Sequence, residues 1–211
     1  MAGSEAATIG GDRPWAALGL VVGPVAFVSA WAVGGARTPG YDPVADAISR
    51  IAAVGAPHRS LMTAGFVAYG VAVGVGSAAL ARSNLSGTWG WAALNAGATL
   101  AVAATPLERS EAVDLLHGVA ATTGYASITV LPLVAARSLR RLGLDRAATA
   151  SLATGAISAA CLAATTLGPG KGALQRTGLL AGDAWLVAVG IALWRSGRDE
   201  RRRSASAPRR P

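Results

Sequence analysis

Six apolar runs of membrane-crossing length, separated by short charged connections, dominate the 211-residue sequence. They fall at about 15–35, 60–81, 89–105, 113–136, 147–167 and 174–194. A helix needs about 20 consecutive apolar residues to cross the hydrocarbon core, where the backbone must satisfy its own hydrogen bonds. Runs built from Ala, Val, Leu and Gly do this as helices rather than as barrel strands. The expected fold is an all-α polytopic membrane protein, a bundle of six transmembrane helices. Composition agrees, with only 14% charged residues where a soluble domain carries about 25%. The first run reads as an anchor rather than a signal peptide. Its apolar part is too long, and Glu5, Asp12 and Arg13 precede it instead of a basic cluster. The single cysteine, Cys161, lies inside an apolar run and forms no internal disulfide.

The flanks of the runs set an orientation. Thirteen of the nineteen basic residues fall on one side: Arg13, Arg82, the connection from Arg137 to Arg146, and the tail from Arg195 to Arg210. The other side holds Arg37, Arg50, Arg59, Arg109, Lys171 and Arg176. Because basic flanks stay in the cytoplasm, both termini are expected there, in a plasma-membrane protein. The same rule accounts for the basic tail without a nucleic-acid partner. That tail, 196–211, is charged and Ser/Pro-rich, and is expected to be disordered.

Within the runs, Gly19 and Gly23, Gly70 and Gly74, and Gly178 and Gly182 stand four apart, giving flat strips for close helix packing. The tryptophans lie mostly near span ends, as an interfacial belt does.

The longest connection on the side with fewer arginines runs from Ala36 to Arg59. Asp42-Pro43 has the form of an N-cap followed by a first-position proline. Val44, Ile48, Ile51 and Ala52 then recur at helical spacing, and Gly55 with Pro57 ends the pattern. The expectation is a short amphipathic interfacial helix after the first span.

Candidate chemistry gathers on that same side. Asp114 and His117 are three residues apart and share a helix face, so the carboxylate could orient the imidazole for general-base work. The bland reading is that the pair satisfies polar groups at a helix start, where acids also suit the dipole. Asp183 is an ionisable group in the sixth run, roughly 10 Å beyond Arg176 along a helix. Such groups usually face a bundle interior with a partner, and Arg176, Arg37 and His117 are the candidates. Two histidines without a ligand-spaced motif give no metal site. No GxSxG, Walker loop or cofactor fingerprint occurs, so no cofactor is expected, and Gly168-Pro-Gly-Lys-Gly172 reads as a turn.

The segment Arg37-Thr-Pro-Gly-Tyr41-Asp-Pro-Val-Ala-Asp46-Ala-Ile-Ser49, then Pro57 and Met62-Thr-Ala-Gly-Phe66, resembles the signature of domain-of-unknown-function family 998. Asp114-Leu-Leu-His117 and Gly172-Ala-Leu-Gln175-Arg176 fit the same pattern. The resemblance implies a six-span prokaryotic membrane protein and brings no established reaction. Where the family often has an acidic residue before the arginine, this chain has Gln175. A fainter likeness to the DRAM/Frag-like six-span proteins favours lipids over ions.

The resulting expectation is an outward-facing polar pocket that binds a lipid or other amphiphile. Arg37, Tyr41, Asp46, Ser49, His58, Arg176 and Asp183 are its candidate ligand-binding residues, with the arginines holding an anionic head group. The alternative is an intramembrane hydrolase or transferase, with His117 as base and Asp114 orienting it. The ceramidase-like hydrolases it resembles rely on three histidines, and this chain has two. A small secondary transporter is the third reading. Membrane lipids are the expected partners, and oligomeric state is left open.

Overall fold

A computed structural model describes residues 14–206. Among these the chain forms α1 (Pro14–Ala17), α2 (Gly19–Arg37), α3 (Arg59–Ala81), α4 (Thr88–Ala104), α5 (Glu111–Arg141), α6 (Asp145–Ala164) and α7 (Lys171–Ser206), with no strand. Five helices are long and apolar enough to cross a membrane: Pro14–Arg37 taken together, α3, α5, α6 and the apolar part of α7. The remaining long helix, α4, has 17 residues.

Short connections make successive helices antiparallel neighbours. Each packs on the next in sequence, and α7 closes the ring against α2 and α6. Close approach depends on small residues. A Cβ on Gly19 would land on the Ala72 carbonyl oxygen of α3, so only glycine lets α2 sit that near. Gly70 and Gly178 make similar close contacts with Leu100 and Leu162, whereas Gly74 has room to spare. The tryptophans divide: Trp15 and Trp89 are exposed at helix starts, while Trp185 is buried and donates to Ser151 Oγ at 2.8 Å.

The alternation places the connections 38–58, 105–110 and 165–170 at one end of the bundle. The arginine-rich connections and the basic end of α7 lie at the other.

Two expectations are corrected. The segment after the first span is not an amphipathic helix along the surface. Asp42 Oδ1 accepts from Val44 N at 2.8 Å, and Asp46 N donates to Asp42 O at 2.7 Å, which closes a turn rather than starting a helix. One 3-10 turn follows, Ile48–Ala52, and its Ile48 and Ile51 are fully buried in the bundle. Residues 42–52 therefore form a strap across the bundle end. The basic segment from Ser196 is not structureless either, since α7 continues through it to Ser206. Arg198 stacks over Trp194 at 4.7 Å, and arginines in the final turns suit the helix dipole. Residues 207–211 lie outside the described residues.

Candidate functional site

Beneath the strap, the bundle holds a partly open cavity of about 60 Å³. Its walls are largely apolar, with Phe27 from α2, Phe66 from α3, Val102 from α4 and Leu179 from α7. Ile48 and Ser49 of the strap form its roof.

The polar groups on the lining come from four helices. Tyr69 of α3 donates to Asn95 Oδ1 of α4 at 2.8 Å. Asn95 Nδ2 reaches α5, donating to Gly124 O at 2.9 Å and Ser127 Oγ at 3.1 Å. Thr99 Oγ1 donates back to Asn95 O at 2.9 Å. One asparagine thus ties three helices together. Asp183 of α7 lies against the Tyr69 hydroxyl, is only 4% exposed, and leaves Oδ2 without a hydrogen-bond partner. It lies twelve residues past Lys171, or ~18 Å along the helix. That is the middle of the apolar stretch, so Asp183 does not belong to the polar residues at the strap end. None of its candidate cations reaches it: Arg176 is held by strap carbonyls, Arg37 is exposed at the end of α2, and His117 bonds Thr105.

His117 is buried on the cavity lining, and its Nδ1 lies 2.6 Å from Thr105 O. A carbonyl only accepts, so Nδ1 carries a proton and donates it. Asp114 does not orient this ring. Its Oδ1 instead accepts from Glu108 N at 2.9 Å, pinning a residue whose φ of 65° is in the left-handed region. The expected Asp114–His117 couple is not formed.

A second group of residues holds the strap. Arg176 Nη1 donates to Pro43 O (2.7 Å), Asp46 O (3.0 Å) and Gly172 O (2.9 Å), and Nη2 donates to the Tyr41 hydroxyl. The guanidinium lies over the rings of Trp31 (5.3 Å) and Tyr41 (5.4 Å). Burial pushes the Tyr41 hydroxyl up from its ordinary range against the pull of Arg176, and it donates to Ala47 O at 3.2 Å. The preceding residue works on the same strap. Gln175 Oε1 accepts from Ile48 N at 2.8 Å while its Nε2 donates to the Tyr125 hydroxyl. A glutamate here would keep the first bond and reverse the second, the Tyr125 hydroxyl then donating. Gly172 completes the arrangement, because a Cβ there would strike the Asp46 and Pro43 carbonyls.

The candidate residues therefore separate. Ser49, His117 and Asp183 line the cavity. Tyr41 and Arg176 clamp the strap, and Asp46 contributes its carbonyl to that clamp. Arg37 is exposed at the end of α2, and its carbonyl meets His58 Nε2 at 3.2 Å, a link between α2 and α3. Arg37 and Arg176 are both absent from the cavity lining, so the anionic head group expected there has no cation to hold it. Sequence reasoning missed Tyr69, Asn95, Tyr125 and the role of Gln175. The signal was a polar side chain in mid-run, clearest for Asn95.

The family model for proteins of unknown function designated DUF998 matches residues 21–192. The chain belongs to this family. Strap, clamp and cavity all lie inside the DUF998 region, and the basic extension of α7 lies outside it. No curated protein and no solved structure matches the chain.

Proposed function

We propose that this DUF998 protein crosses the plasma membrane six times, with α4 as the shortest crossing, and binds a lipid or other amphiphile in the cavity beneath the strap. The observation that carries the reading is the cavity itself: apolar walls in the hydrocarbon zone leading to a polar cluster around Asp183. An apolar tail would lie against Phe27, Phe66 and Leu179, with the polar end at the cluster. The arginine distribution supports cytoplasmic termini and a strap on the outer face.

The hydrolase reading loses support from the site, because Thr105 rather than Asp114 holds the imidazole. Among the described residues, no group of three or more His, Cys, Asp or Glu converges as a metal ion would require.

Ala121 lines the cavity, and Ala121→Phe fills it. Native mass spectrometry of the protein released from nanodiscs should show a retained amphiphile on the wild type and none, or much less, on A121F. Equal retention by the two proteins contradicts the reading.

A further inference from the structure

The side chains around Asp183 have used their protons on the protein itself. The Tyr69 hydroxyl proton goes to Asn95, both amide protons of Asn95 go to α5, and the Thr99 proton goes to the Asn95 carbonyl. His117 gives its Nδ1 proton to Thr105. What these groups leave on the cavity lining is lone pairs, on the Tyr69 and Thr99 oxygens. Asp183 adds a carboxyl group with an unpartnered oxygen. The hydroxyl of Tyr125 is not committed as a donor, but it bonds Gln175, which stands eight residues, ~12 Å, nearer the strap along α7. The deep end of the cavity is therefore built from acceptors.

No Lys or Arg lines the cavity. A carboxylate at this depth is costly without a cation, and the described residues place none at ion-pair distance. The walls add a further preference. Phe27 packs on Phe66 with centroids 5.6 Å apart and edge-on to Tyr69 at 5.5 Å, and π faces of this kind attract cations.

We infer that the cavity selects amphiphiles whose polar end is a protonated amine, the ammonium donating to Asp183 and the apolar tail lying along the phenylalanine wall. This rests on the reading of the cavity as an amphiphile site and names its ligand class. Charge and hydrogen-bond donors arrive together on one small group, which is what a pocket of acceptors around a single carboxylate requires. Fatty acids and phosphate head groups meet no compensating cation there.

Octylamine, octanol and octanoate share a tail and differ in the polar end, so calorimetric titration of each into nanodisc-embedded protein, in zwitterionic lipid, tests the assignment. Octylamine should bind the wild type about tenfold or more tighter than octanol, a difference of ~1.4 kcal/mol. Octanoate should bind most weakly. Asp183→Asn should abolish the preference for the amine and leave octanol binding in place. Ala121→Phe should weaken all three probes. Equal wild-type affinities for octylamine and octanol overturn the amine assignment while leaving the cavity reading intact, and this comparison does not depend on how D183N folds. Unchanged binding of all three probes by A121F overturns the cavity reading itself.

Discussion

The Tyr69 hydroxyl lies 2.8 Å from Asn95 Oδ1 and donates to it, with the Asp183 carboxyl group close beside it on the cavity lining. The same hydroxyl thus joins α3 to α4 and stands against the carboxyl group of α7. Asn95 passes the connection on to α5 through both of its amide hydrogens. The cluster is thus a rigid polar joint with an unsatisfied carboxyl oxygen beside it.

The joint predicts unequal costs for its two partners. Tyr69→Phe removes one interhelical hydrogen bond, worth about 0.6–2 kcal/mol in a membrane setting. Asn95→Ala removes three, spread over three helices, so it should be clearly the more destabilising. Thermal unfolding in detergent ranks the two, and a ranking of Tyr69→Phe at or above Asn95→Ala would refute the arrangement.

Arg176 is expected to act on the strap rather than on any ligand. Its planar fork reaches two strap carbonyls and the Tyr41 hydroxyl at once, which a lysine ammonium cannot match. Arg176→Lys should increase amide hydrogen exchange at Asp46, Ile48 and their neighbours while α4 to α6 stay protected. Arg176→Ala should cost about 3 kcal/mol, since bonds to a charged donor run at about 1.5–3 kcal/mol each and are not additive. Unchanged exchange across the strap in R176K would rule out the clamp.

Gly172 predicts the same phenotype by a different cause. A valine there drives its Cβ branch into the carbonyls that Arg176 engages. Hydrogen exchange in Gly172→Val should match that of R176A over residues 42–52. A strap as protected as in the wild type would show that the close approach is not required.

Gln175 separates accepting from donating. Gln175→Glu keeps an acceptor for Ile48 N and reverses the bond to Tyr125, whose hydroxyl then donates. Gln175→Leu leaves a buried backbone N–H unsatisfied, at a cost of about 1–3 kcal/mol. Melting temperatures should fall in the order wild type, Q175E, Q175L, and a Q175L protein as stable as Q175E would contradict the assigned bond.

These residues also mark what can be read without coordinates. The helices were legible because length and apolarity are decided locally, and the observed ends lie within a few residues of the expected ones for the inner spans. The depth of Asp183 was not legible, since sequence reasoning groups it with the polar residues of the strap end, whereas α7 sets it ~18 Å beyond Lys171. Nor was the strap. An aspartate followed by proline serves both as a helix cap and as a tight turn, and here the choice is made by Gln175 and Arg176, which lie far along the chain. Arg176 drew attention as a charge seeking a carboxylate, but backbone carbonyls took its Nη1 while Nε stayed without a partner, and carbonyl partners leave no trace in residue identity. Asp114 and His117 share a helix face as the spacing requires, yet each found a backbone partner in the 105–110 connection. Asn95 was visible as a lone amide in an apolar run, and its significance came only from three helices meeting on it.

The central claim is that the cavity beneath the strap holds an amphiphile, and an experimental density map of the protein in native-lipid nanodiscs tests it most directly. The account predicts elongated density that passes Phe27 and Phe66 and ends within hydrogen-bonding distance of Asp183. A map in which α5 and α7 close over an empty space, or in which a protein side chain fills it and pairs with Asp183, would contradict the account.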